Sequence, residues 1–315
     1  MRQACQQAIF ELAKTDDRVF FVGSDLGVGT LDDYKAEIPE RFLMEGISEA
    51  NIVGLSAGLA IEGKIPYVVT IATFMTRRCY EQIAVDVCLH NLKVRFVGQG
   101  AGYVYAPLGP THQAIEDIAI CRALPNMTII CPADADEMNR LMPQTLDWPG
   151  PIYIRVAKGY DEIVSSDDRP TVIGKAIRMR EGSDALIITT GITLQRAIQA
   201  VELLEKDGIS TGILHVHTPK PLDEEAILDA VKSVDSVITY EEHNIIGGLG
   251  SAVAELLAEA ELDNHPRFKR IGIPDVFADE YGSQDSIMDN MGMSVSAVVD
   301  TVTTISRRGS AKTTA

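Results

Sequence analysis

Short apolar runs of strand length recur along the whole chain, at residues 18–23, 67–71, 94–98, 128–131, 152–156, 185–190, 211–215, 236–240 and 270–273. Longer stretches of helical patterning separate them. Several of these runs are continuous rather than alternating. A strand covered by helices on one face only would show polar residues at every second position, so continuous runs imply cover on both faces. The pattern predicts an α/β chain of two domains, each an open, mostly parallel sheet flanked by helices.

A chain of 315 residues exceeds the usual size of a single core. The break is expected at the polar, proline-containing stretch Ser165-Ser-Asp-Asp-Arg-Pro170. This places a first domain at residues 1–162, a linker at 163–172, a second domain at 173–308 and a disordered tail at 309–315. The formal net charge of −17 repels a phosphate backbone, which argues against nucleic acid as a partner. Neither a charged-then-apolar leader nor an apolar run of membrane length is visible, so no membrane role is expected and the cytoplasm is the expected compartment. The five cysteines are an odd set without a CxxC pair, which fits neither a disulfide framework nor a zinc site.

The segment Gly46-Ile-Ser-Glu49-Ala-Asn-Ile-Val-Gly-Leu-Ser-Ala-Gly-Leu-Ala60 sets one carboxylate at the mouth of a small, apolar helix. Without a polar face that helix is expected to be buried. A carboxylate there costs free energy unless it has a partner, which makes Glu49 a functional candidate; the alternative is a charge that stabilises the helix dipole.

Further motifs appear in order: Thr73-Phe74, Gly109-Pro-Thr-His112-Gln113 and Tyr153-Ile-Arg155, then Lys220-Pro221-Leu222-Asp223 and Glu241-Glu-His243-Asn-Ile-Ile-Gly247-Gly248-Leu-Gly250. Together with Gly46–Glu49 this ordered set resembles the pyrimidine-binding and C-terminal domains of the transketolase and deoxyxylulose-phosphate synthase superfamily. The Gly-Asp-Gly segment with which such enzymes hold a divalent cation and a diphosphate is absent from this sequence. The resemblance is therefore to the small subunit of a split, two-component transketolase. It implies thiamine diphosphate as cofactor, magnesium or calcium bound through the diphosphate with ligands from a larger partner subunit, no metal ligands in this chain, sugar phosphates as substrates and an α2β2 heterotetramer.

The resemblance also implies roles for individual residues. Glu49 would hydrogen-bond the aminopyrimidine of the cofactor and bias its tautomer. Phe74 would stack on that ring, and Asp25 would lie near the thiazolium. His112 would line the substrate channel and move protons to and from substrate hydroxyls. Arg155, at a strand end, would hold substrate phosphate; an ion pair between the domains is the competing reading. Arg77 or its neighbour Arg78 would face the substrate. His243 and the following glycines are read as structural, and His90, His215, His217 and His265 are assigned no chemistry.

Two departures bear on the substrate. Leu108 stands where the family has an aspartate that contacts a substrate hydroxyl, and leucine cannot accept that bond. Gln99 or its neighbours replace a second channel histidine. Both imply ketol transfer to an atypical acceptor. A β subunit of a 2-oxo-acid dehydrogenase, a decarboxylating synthase and a regulatory scaffold are the alternatives.

Overall fold

The computed structural model describes residues 1–24, 31–157 and 161–310. The first sheet contains β1 (Val19–Gly23), β2 (Phe42–Met44), β3 (Ile65–Ile71), β4 (Arg95–Gln99), β5 (Thr128–Ile130) and β6 (Ile152–Val156). Its order is β2-β1-β3-β4-β6-β5, and every pairing is parallel. The second sheet contains β7 (Ile177–Arg180), β8 (Ala185–Thr189), β9 (Thr211–His215), β10 (Ser236–Asn244) and β11 (Arg267–Ile273), in the order β11-β10-β8-β9-β7. Only the edge strand β7 runs antiparallel, against β9.

The continuous apolar runs are explained by three-layer packing. On β3, Tyr67 and Val69 point into a core closed by the helix Arg2–Thr15, through Cys5, Ile9 and Phe10. Val68 points the other way, into a core with Ile52, Met75 and Ile118. In the second sheet Ile187 packs beneath the helix Thr193–Lys206, whereas Leu186 and Ile188 face Ile227 and Val253. Successive side chains on a strand thus meet opposite helical layers, and both need to be apolar.

The expected strands are present, and the structure adds two. β2 and β7 are edge strands, half-buried at most positions, with no long apolar run to betray them. β10 extends four residues further than expected, and β11 begins three residues earlier, at Arg267, as an edge strand with its first four residues not fully buried. The last helix is Val295–Ser310, two residues into the segment expected as a tail. The helix Glu49–Ile61 departs from expectation in a more informative way. Only one face is buried, through Glu49, Ile52, Val53, Ser56 and Ala57. Ala50, Asn51, Gly58 and Ile61 are exposed, and a Cβ built at Gly54 or Gly58 meets nothing within 4 Å.

Backbone hydrogen bonds tie the two sheets together. Ile129 N–H donates to Lys220 O and Cys131 N–H to His217 O, each at 2.7 Å, so the free edge of β5 is covered by the segment after β9. Asn244 N–H donates to Ile115 O, also at 2.7 Å.

Candidate active site

In the first sheet the chain turns one way from β1 to β2 and the other way to β3. This is a topological switch point, beside which ligands of open α/β sheets bind, at the carboxyl ends of the strands. The predicted residues gather at that end. Glu49 opens the helix that follows β2, and Phe74 lies in the helix Ala72–Arg78 directly after β3. Gln99 is the last residue of β4, and His112 follows in the loop.

Glu49 and Phe74 share one neighbour. Arg78 Nη1 donates to Glu49 Oε1 at 3.2 Å and to Oε2 at 3.3 Å. Its Cζ sits 3.8 Å from the centroid of the Phe74 ring, a cation–π contact. The Glu49 side chain is only 6% exposed, whereas Arg78 is 48% exposed. The His112 ring meets Phe74 edge-on at 5.0 Å, and Tyr105 lies 6.5 Å beyond it. His112 Nδ1 is 2.9 Å from Thr111 Oγ1. Three segments far apart in sequence therefore bring together a carboxylate, an aromatic face, a guanidinium and an imidazole.

The structure separates the two adjacent arginines. Arg77 turns away from Glu49 and grips Glu116 through Nε and Nη2, and its Nη2 also donates to Gln113 O at 3.1 Å. It braces the loop that carries His112. Of the two arginines between which the sequence did not choose, Arg78 faces the cluster and Arg77 faces Glu116.

Arg155 is not brought to the cluster as an open anion site. It is 7% exposed, and its Nε donates to Asp117 Oδ2 at 2.8 Å. Its Nη2 donates to Glu242 O at 2.9 Å, in the second domain. Burial works against the guanidinium charge, and the groups around it, Asp117 foremost, together more than offset it. This geometry fits the competing expectation of an ion pair between the domains. Gln99 is likewise buried, at 3% exposure, and its Nε2 has no hydrogen-bond partner among the described residues. Leu108 is 52% exposed at the end of the short helix Ala106–Leu108. The next residue, Gly109, has φ +76°, and a Cβ there would lie 3.0 Å from Tyr281 Cε1. Tyr281, from the second domain, is a rim residue that no sequence motif indicated. Asp25 lies outside the described residues.

The joint between the domains holds several buried polar groups, His243 among them. His243 Nε2 accepts from Ala119 N–H at 3.2 Å, and its Nδ1 donates to Asn244 O at 2.7 Å. Glu241 caps the helix Leu249–Glu259 by accepting from Leu249 and Gly250 N–H. Glu242 Oε1 accepts from Tyr103 N–H and from Gln284, each at 2.8 Å; burial pushes its carboxyl above the usual range. Glu137 accepts from Ala133 N–H and bonds His215 Nε2 at 2.9 Å. Burial alone would raise the Glu137 carboxyl, but these partners hold it down to about 2. Desolvation pushes neighbouring His217 down to about 4. Among the described residues no group of His, Cys, Asp and Glu is arranged to hold a metal ion.

Residues 1–160 match the family described as transketolase, pyrimidine binding domain, and residues 174–298 match transketolase, C-terminal domain. The chain belongs to the transketolase family. It is 36% identical over 301 residues to the 6-deoxy-6-sulfo-D-fructose transketolase subunit of Clostridium sp. (strain MSTE9), covering 95% of this chain and 92% of that one. It is 38% identical to an apulose-4-phosphate transketolase subunit of Phocaeicola vulgatus, over 87% of each. A solved structure described as a split gene transketolase, inactive beta4 tetramer, superposes with a TM-score of 0.88 at 34% identity, covering 96% of this chain and 97% of that one. As a transketolase-type subunit, this chain takes part in two-carbon ketol transfer between sugars with a partner subunit, and the family implies thiamine diphosphate.

Proposed function

We propose that this chain contributes the aminopyrimidine end of a thiamine diphosphate site shared with a larger subunit. The observation that carries the reading is the Glu49–Arg78–Phe74 cluster at the switch point. A buried carboxylate beside an aromatic face already holds a planar, nitrogen-bearing group, and an aminopyrimidine presents the same features. The residues therefore fit the cofactor.

Bound thiamine diphosphate would supply the electron sink that ketol transfer requires. Glu49 would hold a proton at the pyrimidine ring nitrogen, in surroundings from which Ile52 and Val53 exclude water. Phe74 would orient the ring. His112, against Phe74 and near the surface of the loop, would pass protons to and from substrate hydroxyls. Arg155 we assign to the domain joint. We read residues 163–172 as the linker, clasped by Asp134, whose Oδ2 accepts from Val164 and Ser165 N–H.

The diphosphate and its magnesium or calcium ion fall to the partner subunit in this reading. The exposed face of helix Glu49–Ile61 fits burial against that partner, and two-fold pairing gives an α2β2 particle. The buried, unpaired cysteines fit a reducing cytoplasm. Exposed Leu108 and Tyr281 form an apolar rim that suits a deoxy or otherwise modified sugar acceptor. The test is Glu49→Gln in the reconstituted two-subunit enzyme. Activity should fall by about 10²–10⁴-fold with an unchanged melting temperature. Activity within a few-fold of wild type would end the proposal.

A further inference from the structure

Glu49 has a partner in this chain, and that partner is loosely held. Charge-assisted N–H···O bonds run to about 2.7–2.9 Å, and the two from Arg78 are 3.2 and 3.3 Å. Nearly half of the Arg78 side chain is exposed, and among the described residues its guanidinium makes no other hydrogen bond. Arg77, one position earlier, makes three donations to two residues. The contrast is between an anchored arginine and one that can leave.

The place Arg78 occupies is also the place an aminopyrimidine needs. One nitrogen serves both Glu49 oxygens, and the guanidinium carbon lies at van der Waals distance over the Phe74 ring. Two groups cannot occupy that contact together. We propose that Arg78 is a displaceable placeholder. It neutralises the buried carboxylate and covers the aromatic face until the aminopyrimidine takes over both contacts. This rests on the reading of Glu49 and Phe74 as the aminopyrimidine site. The physical benefit is that Glu49 is never left buried without a partner, which would be costly. The consequence is weaker apparent binding, because the cofactor binds only the fraction of molecules in which Arg78 has swung out.

The experiment uses the full chain without its partner subunit and the fragment 4-amino-5-hydroxymethyl-2-methylpyrimidine. Its dissociation constant is read by ligand-observed NMR, so no turnover is involved. Arg78→Ala and Arg78→Gln should each bind the fragment more tightly than wild type, by about three- to tenfold if Arg78 fills the place about 70–90% of the time. Glu49→Gln should weaken binding at least tenfold. Melting curves check that each variant is folded, and the glutamine variant stands in if the alanine variant is not. If both Arg78 variants bind as weakly as wild type or more weakly while Glu49→Gln still loses affinity, Arg78 is part of the site and the placeholder role is wrong. If Glu49→Gln binds like wild type, the aminopyrimidine reading falls and the placeholder with it.

Discussion

Asp117→Asn separates the two readings of Arg155, a substrate clamp or a domain joint. Asp117 is fully buried and Arg155 nearly so, and they meet at 2.8 Å. Tyr153 Oη donates to the same carboxylate oxygen at 2.7 Å, and Arg155 reaches the second domain through Glu242 O. Removing one partner of a buried pair costs about 3–5 kcal/mol, because the other charge stays desolvated without compensation. For a domain of this size each kcal/mol lowers the melting temperature by about 2–4 °C, so a loss of about 10 °C is expected. Arg155→Met should cost a similar amount. The double variant Asp117→Leu with Arg155→Met removes both charges and should recover to within about 1–2 kcal/mol of wild type. Thermal unfolding by circular dichroism measures all three variants. KM for phosphorylated and unphosphorylated ketoses, with the partner subunit present, supplies the second readout and should stay within a few-fold. A stable Arg155→Met protein with a tenfold higher KM for the phosphorylated substrate alone would refute the joint.

Gly102→Ala should destabilise by about 2–5 kcal/mol, since φ is +61° and the new Cβ would run into the buried Glu242 carboxyl group. Gly63→Ala, at φ +80° with nothing within 4 Å, should cost only the backbone strain of about 1–2 kcal/mol; equal losses for the two in urea unfolding would contradict the packing argument. His217 is held down to about 4 from 6.5, so between those pH values the unfolded chain carries a proton that the folded chain does not. Stability should therefore fall as pH drops through that window, by about 3 kcal/mol from this residue. His217→Gln should show a correspondingly shallower fall between pH 7 and pH 4, and an unchanged slope in urea titrations would refute the assignment. Leu108→Asp should move the kcat/KM ratio of hydroxylated over deoxy acceptors by at least tenfold. A ratio that does not move would place the specificity elsewhere.

Much of the fold is local information. The runs at 67–71, 152–156 and 185–190 read as strands covered on both faces, because apolar residues fall on both sides of each. Edge strands escape this logic. Ile177-Arg-Met-Arg180 borders solvent, and its pattern resembles that of a polar loop. The motifs around Glu49, Phe74 and His112 were legible as a set, and the structure brings those three together at one sheet end.

What the chain's order of residues determined by itself was the α/β layering and the family to which its motifs point. Which polar groups gather at the sheet end and which close the joint was decided only by tertiary structure. Arg155 looks like a ligand arginine in one dimension, and Asp117 and Glu242 claim it in three. Arg77 and Arg78 are adjacent in the chain, yet one grips Glu116 and the other Glu49. His215 and His217 carry no evident chemistry in one dimension, and folding sets the pair beside Glu137. The reason is electrostatic. Charge and hydrogen-bond partners act over a few ångströms, and the partners that matter here lie tens of residues away along the chain.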